Sequence, residues 1–207
     1  MFAVSADARL FSPSTARNRD FIRDAFLNSM PLEGVIVEVG SGSGEHCIHL
    51  ATAAPKLQFH PGDPDEAARA SIAAWIAESE LENISPPHDC DVMEGAWRER
   101  FQPCEGVVSI NMIHIAPFAA AGGLFKGAAE LLKEDGRLFL YGPFKRNGAH
   151  TAPSNETFDQ WLKERDIRWG VRDLEHDIAP LAKRVGLKIR DIIEMPANNL
   201  SVVFDRF

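Results

Sequence analysis

Apolar positions along this chain keep two rhythms, and the switches between them mark out the elements. Between about 17 and 29, Phe21, Ile22, Ala25 and Phe26 recur at helical spacing and predict an amphipathic helix. Pro31 and Gly34 signal a turn, and the β-branched run Val35–Val39 reads as a first strand. A helix over about 44–54 stops before Pro55, a second strand covers about 57–62, and an alanine-rich helix covers about 65–80. The third strand, near 84–90, is weakened by Pro86-Pro87. The fourth lies at about 106–111. Residues 117–132 are helical in pattern despite Gly122-Gly123, with a stop at Asp135-Gly136 and a fifth strand at 137–141.

After 141 the alternation breaks. Residues 142–170 are rich in Gly, Pro, Asn and Arg, yet hold Phe144, Phe158, Trp161 and Trp169. A connection this long in a compact domain is functional or disordered, and the aromatic content argues against plain disorder. A helix follows over about 171–185, where Pro180 predicts a kink or two short helices. Leu187–Met195 and Leu200–Phe204 read as the last strands, joined by Pro196–Asn199, too short for a parallel crossover, so that pair is antiparallel. The expected fold is α/β: a doubly wound, Rossmann-like sheet of seven strands, mostly parallel with an antiparallel final strand, and helices on both faces. It forms one domain over 1–207, with an N-terminal helical segment at 1–33 and an insertion at 142–170 that can serve as a lid.

Composition narrows the partners. The formal charge of −8 argues against a general affinity for nucleic acid. No apolar run reaches the length of a membrane span, and Met1–Arg9 has neither a basic start nor a long apolar stretch, so no secretory signal is expected. Cys47, Cys90 and Cys104 cannot all pair and show no C-x-x-C spacing, which fits reduced thiols in a cytoplasm. A zinc site through His88, Cys90 and Cys104 can be drawn, but no metal is expected. Oligomeric state is left open.

The densest chemistry is at the end of the first strand: Glu38-Val-Gly40-Ser41-Gly42-Ser-Gly44-Glu45-His46. A buried strand that breaks into glycines and opens a helix is a cradle for a nucleotide cofactor, because glycine admits close backbone approach and the helix start presents free N–H groups. In a dinucleotide site of the form G-x-G-x-x-G the third glycine falls one residue later. Here Glu45 holds that position and would face a pyrophosphate. Glu38 suits a cofactor with an amino-acid end, whose α-ammonium it can pair. The pattern resembles motif I of the class I S-adenosylmethionine-dependent methyltransferases. That resemblance implies S-adenosylmethionine as cofactor and S-adenosylhomocysteine as product, and the closing antiparallel hairpin is typical of the same class. A nicotinamide-dependent oxidoreductase and a ligand-free tight turn are the alternatives.

Further candidates follow at the strand ends. Asp63, about 20 residues beyond the loop, is placed to accept from ribose hydroxyls, whereas Asp65 caps the alanine-rich helix. In the resembling class an acid after the third strand meets the adenine amino group and the next N–H meets a ring nitrogen. Asp91-Val92 suits this, a surface turn being the alternative. Asn111, Met112 and His114 leave the fourth strand, where the reacting carbon would lie. His114 can serve as base or contact substrate, or be a pocket wall. Tyr141 can orient a nucleophile, and Lys145 and Arg146 can hold an anionic group or form a solvated loop. Arg17 and Asn18 are candidates for the cofactor's carboxylate, with helix capping by Asn18 or Ser14 as the alternative. His46 is placed to line the pocket, and His49 on a helix face.

Ala16–Asp20, Glu38–Gly44, Pro64–Ile72, Asn111–Pro117, Tyr141–Lys145, Arg168–Asp173 and Met195–Leu200 together resemble the methyltransferase-like 26 group, a family first described as a domain of unknown function. The likeness covers nearly the whole chain and implies fold and cofactor but no acceptor. The expected function is methyl transfer from S-adenosylmethionine to a small molecule, with His114, Tyr141 and Asn111 catalytic. Residues 111–114 are not Asn-Pro-Pro-Tyr, which speaks against a nucleic acid base. A cofactor-binding module that acts through a protein partner without catalysis is the second possibility.

Overall fold

The computed structural model describes residues 7–206; residues 1–6, most of the stretch read for a secretory signal, and residue 207 lie outside it. Helix α1 (Pro13–Ser29) leads into β1 (Gly34–Val39), and α2 (Glu45–Ala53), β2 (Leu57–Asp63), α3 (Glu66–Ser79) and β3 (His88–Asp89) follow. β4 (Cys104–Ile110), α4 (Phe118–Leu131) and β5 (Leu132–Gly142) complete the alternating part. Beyond it lie β6 (Phe144–Arg146), β7 (Ala149–His150), α5 (Pro153–Arg165), β8 (Arg172–Asp173), α6 (Ala179–Arg184), β9 (Leu187–Met195) and β10 (Asn199–Arg206).

Among the described residues, seven strands form one sheet in the order β3-β2-β1-β4-β5-β10-β9. β1 is parallel to β2 and β4, and β4 to β5. β10 runs antiparallel to both β5 and β9. Alternate residues of each strand supply two cores. Val37, Val107, Leu138, Leu140 and Val202 pack under α4 and α6. Ile36, Val108, Phe139 and Val203 pack under α1 and α2 through Ile22, Phe26 and Leu50. Burial on both faces explains why these strands read as near-continuous apolar runs.

The structure moves several expected boundaries. α1 begins at Pro13, four residues before the periodic stretch, because proline suits the first helical turn. β3 keeps only two residues, with an isolated bridge from Ile84 to Phe59 ahead of Pro86-Pro87. β5 begins at Leu132 rather than 137: Leu132 pairs with Cys104 and Arg137 with Gly106, so the extra residues bulge out around Asp135 at φ +63°. The insertion is built, not loose. β6 and β7 form a hairpin through Asn147-Gly148, β8 pairs with β6, and α5 packs beside them. The expected helix over 171–185 starts as strand β8, continues as a π-helical turn at Leu174–Ile178, and becomes α6, with Pro180 in its first turn. No helix of the described residues is long and apolar enough to cross a membrane.

Candidate functional site

β1 sits between β2 and β4, so the strand order reverses there, and a crevice opens at the carboxyl ends of these strands. It is a cavity of about 250 Å³. Its walls are Val39, Gly40 and Gly42 at the end of β1, Asp63 and Pro64 at the end of β2, Cys90 to Met93 after β3, Met112, Ile115 and Ala116 after β4, and Ala120 of α4. The lining is largely apolar with a carboxylate at each of two strand ends, which suits a flat heterocycle joined to a polar sugar.

Two glycines shape the loop. Gly40 has φ +71°, and a Cβ there would lie 2.7 Å from Met112 Cγ. Gly42 has φ +56°; it lines the cavity, and nothing lies within 4 Å of a Cβ built on it. The loop is pinned from β2. The Gly40 and Ser41 N–H groups donate to Gly62 O at 2.9 and 3.1 Å, and the Gly42 N–H donates to Asp63 Oδ2 at 2.9 Å. Asp63 Oδ1 accepts from Asp65 N at 3.0 Å. Both Asp63 oxygens thus hold backbone while the side chain faces the cavity. Asp65 caps α3, accepting from Ala68 N at 2.8 Å.

Glu38 is 2 % exposed, and its Oε2 has no hydrogen-bond partner among the described residues. Burial raises its pKa to about 7, hydrogen bonds from Ser41 and Cys47 oppose the shift, and the nearby Asp63 charge adds to it. It is a carboxyl in need of a donor or a cation. Asp91 Oδ1 accepts from Met93 N at 2.9 Å, turning the chain so that Val92 closes the cavity. Gly123 serves the same wall: a Cβ there would sit 1.9 Å from Val92 O, so α4 passes against bare backbone. At Gly123 the expected weakness is therefore a packing requirement, whereas a Cβ at Gly122 would meet nothing within 4 Å.

α1 reaches the site through Asn18, whose Nδ2 donates to Tyr141 Oη at 3.5 Å. Asn18 and Ser14 both lie inside the helix, so neither caps it, and Ser12 at the N-cap makes no side-chain cap. Arg17 is exposed, with no hydrogen bond or ion pair among the described residues. Glu45, considered above only as an obstacle to a pyrophosphate, ties the segment before α1 to the glycine loop: its Oε2 accepts from Ser12 N at 2.7 Å and from Ser43 Oγ at 2.9 Å. His46 is held neutral, with burial the main cause of a pKa lowered to about 4 and the His49 and Arg19 charges adding to it.

His114 does not line the cavity. Asn111 takes the left-handed conformation, φ +61°, and accepts the His114 N–H through its carbonyl at 3.1 Å, which turns the imidazole inward. The ring is 1 % exposed and meets Phe144 edge-on at 5.0 Å. Its Nδ1 accepts from Arg172 N at 3.3 Å, so the ring proton of the neutral form sits on Nε2, which has no partner among the described residues. Burial first, and the Arg172 charge second, lower its pKa to about 3. Such a ring is a poor base, because the free nitrogen is already used as an acceptor. Its folded pKa lies below the unfolded value, so this group's contribution to stability is lost as pH falls below about 6.5, by about 2 kcal/mol at pH 5. We expect the His114 ring nitrogens to show no NMR titration between pH 8 and pH 5; a transition near pH 6 would contradict this placement.

Arg172 gave no sequence signal beyond its motif, yet it clamps the loop after β4. Its guanidinium donates to Ile113 O at 3.0 Å, Ala116 O at 2.7 Å and Arg168 O at 2.9 Å, and lies 5.4 Å from the Phe118 ring centroid. Lys145 and Arg146 are not free for an anion. Lys145 pairs with buried Asp159 at 3.1 Å, as do Lys163 at 2.7 Å and His150 at 3.3 Å, and Arg146 pairs with Glu175 at 2.6 Å. The Lys145 and His150 pairs fasten the hairpin to α5, the Arg146 pair fastens it to the turn at Leu174–Ile178, and no residue of 142–170 lines the cavity. Burial pushes the Cys90 and Cys104 thiols up to about 12 and Cys47 well above its ordinary value. Among the described residues no three His, Cys, Asp or Glu side chains are grouped to share a metal ion.

A family model described as a protein of unknown function, DUF938, matches residues 9–206. The chain belongs to this family. Its fold is the Rossmann-like fold of class I methyltransferases. An O-methyltransferase family protein from Burkholderia thailandensis matches with a TM-score of 0.79 at 14% identity, over 93% of this chain and 56% of that one. The mitomycin 7-O-methyltransferase MmcR matches at 0.77 and 15%, over 94% and 54%. CalO1, a methyltransferase of calicheamicin biosynthesis in its S-adenosylhomocysteine-bound form, matches at 0.75 and 15%, over 94% and 54%. At these identities the likeness is one of fold, and this DUF938 chain spans little more than half the length of those structures.

Proposed function

We propose that the protein is an S-adenosylmethionine-dependent methyltransferase acting on a small-molecule acceptor. The observation that carries this is the pairing of a cavity at the strand reversal, lined by Gly42, with a buried Glu38 oxygen that lacks a partner. A cofactor with a nucleoside and a cationic amino-acid end fits both. Glu38 would pair the ammonium group, and Arg17 the carboxylate. The backbone of Gly40, Ser41, Gly42 and Gly44 would carry the methionine chain, with His46 beside it. Asp63 would accept from the ribose, and Asp91, Val92 and Met112 would enclose the adenine. When bound, the cofactor supplies a methyl carbon made electrophilic by its sulfonium and leaves as S-adenosylhomocysteine. The chain's part is to hold acceptor and cofactor in line and exclude water. Asn111 and Tyr141 would face the acceptor, and His114, neutral and inward, would hold the Asn111–Gly142 corner in place.

The resemblance to the methyltransferase-like 26 group supports the same cofactor. The similar structures support a small acceptor, since their descriptions name O-methyltransferases and, in one case, a complex with apigenin. The acidic charge weighs against nucleic acid. Glu45, committed to Ser12 N and in the first turn of α2, weighs against a pyrophosphate and hence a nicotinamide cofactor. One observation favours a binding module without catalysis: among the described residues, the cavity lining holds no histidine, lysine or tyrosine. The two part on one experiment. Protein incubated with methyl-labelled cofactor and a small-molecule extract is expected to move label into an extract component and release S-adenosylhomocysteine. Cofactor binding with label confined to the cofactor would favour the module.

A further inference from the structure

Residues 9–12 lie against α3 and the start of α2, and two side chains tie them to the glycine loop. Ser71 of α3 is 0 % exposed; its Oγ accepts from the Leu10 N–H at 2.8 Å and donates to Ser43 O at 2.7 Å. Half-buried Glu45 holds the second tie, its Oε2 accepting from the Ser12 N–H at 2.7 Å and from Ser43 Oγ at 2.9 Å. Each relay begins on a main-chain N–H of the 9–12 strap and ends on Ser43, one on its carbonyl and the other on its hydroxyl. Ser43 stands between Gly42, which lines the cavity, and Gly44, the left-handed cap of α2. Whatever fixes Ser43 therefore fixes the end of the loop.

The strap itself is lightly held. Leu10 is 48 % and Phe11 65 % exposed. Apart from the relays it rests on Trp75 of α3, whose indole N–H donates to Leu10 O at 3.1 Å. The Phe11 ring meets the indole edge-on at 5.2 Å, and the Arg9 guanidinium lies 5.1 Å from the indole centroid. A segment with so little buried apolar surface opens at low cost. When it opens, Ser71 Oγ loses the Leu10 N–H and Glu45 Oε2 loses the Ser12 N–H. None of residues 9–12, Ser71, Glu45 or Trp75 lines the cavity, so their influence on a molecule bound there passes through Ser43.

We propose that Ser71, Glu45 and Trp75 are positioning residues for the cofactor, which couple closure of the 9–12 strap to the loop conformation that receives it. This rests on the cofactor site proposed above. The loop that presents Gly42 to the cavity is the one in which Ser43 O and Oγ meet Ser71 and Glu45. A nucleoside that binds this conformation alone holds both relays closed. By reciprocity, a strap that fails to close lowers the nucleoside's affinity by the same factor.

The Leu10 and Ser12 amide protons report the two relays directly. Saturation with S-adenosylhomocysteine is expected to slow exchange of both about tenfold, measured by NMR. Trp75→Phe removes the donor to Leu10 O, keeps a ring, and leaves both relays and the loop chemically intact. It should weaken S-adenosylhomocysteine about five- to tenfold in calorimetric titration, and Ser71→Ala by at least as much. Because both substitutions act through one strap, the double variant should bind as Ser71→Ala does. Amide exchange indifferent to the nucleoside in a protein that binds it, wild-type affinity in Trp75→Phe, or losses that multiply in the double variant each overturn the proposal and leave the cofactor site standing. Wild-type protein that binds no S-adenosylhomocysteine overturns the site and the coupling together.

Discussion

Glu38→Gln is expected to make the free protein more stable at pH 8 by up to about 3 kcal/mol while weakening S-adenosylmethionine binding roughly 100-fold. The first effect follows from a carboxyl whose pKa is raised from 4.5 to about 7 by burial. Between those values the unfolded chain gives up the proton and the folded protein keeps it. The group's contribution to stability is therefore greatest below about pH 4.5, declines as pH rises to about 7, and stays at its lowest above that. Glutamine removes the penalty of a buried charge. The second effect follows from the same substitution, because only a carboxylate balances the cofactor's ammonium, and lost charge-assisted bonds cost about 1.5–3 kcal/mol. His114 and His46 have lowered pKa values and act in the opposite sense below about 6.5. The clean quantity is thus the difference between variant and wild type in denaturant unfolding at pH 5 and at pH 8, together with calorimetric titration. Equal stability at pH 8, or equal affinity, would remove Glu38 from its proposed role.

Gly42→Ala is expected to abolish measurable cofactor binding at a small cost to the fold. The left-handed backbone at φ +56° penalises alanine by about 1 kcal/mol, which in a chain of this length lowers Tm by about 2–4 °C. The added Cβ meets no protein atom within 4 Å, and it adds bulk and fixes the backbone at a residue that lines the cavity. Gly123→Ala is the contrasting case. Its Cβ would fall 1.9 Å from the carbonyl oxygen of Val92, so backbone has to move and the protein itself should be destabilised well beyond the Gly42 variant. Thermal melts of both variants, with titrations of each that remains folded, check this. A Gly42→Ala protein that binds the cofactor as the wild type does would place the ligand elsewhere.

Strands buried on both faces are legible as apolar runs, which is why β1, β2, β4, β5 and β10 could be read from residue order; β9, an edge strand with mostly exposed residues, was legible through its apolar Ile and Leu positions and the short turn that joins it to β10. Short elements held by side-chain pairs could not. The β6–β7 hairpin has an Asn147-Gly148 turn at φ +51° and +86°, but its strands are short, with Phe144 alone fully buried, and Lys145 and His150 are held by Asp159 on α5. No residue-type pattern marks which of the nearby charged residues that carboxylate takes as partners. Pro153 at the start of α5, with Phe158 and Leu162 four apart, was a usable helix signal inside the same stretch.

The site divides in the same way. Glu38, Gly40, Gly42, Asp63 and Asp91 were placeable because strand ends determine where they go. His114 was not, since its direction depends on the left-handed turn at Asn111 and on an acceptor bond to Arg172 N. Arg172 itself donates from its side chain to main-chain carbonyls, which carry no residue-type signature. Ser71 reads in sequence as an ordinary helix residue; only the fold sets it between Leu10 and Ser43.

The most direct measurement is calorimetric titration of the wild-type protein with S-adenosylmethionine and with S-adenosylhomocysteine, alongside Gly42→Ala. Binding of both at one site per chain, lost in the variant, is the expected result. Absence of binding to either nucleoside by the folded wild-type protein would contradict the assignment of the cavity and every residue role that depends on it.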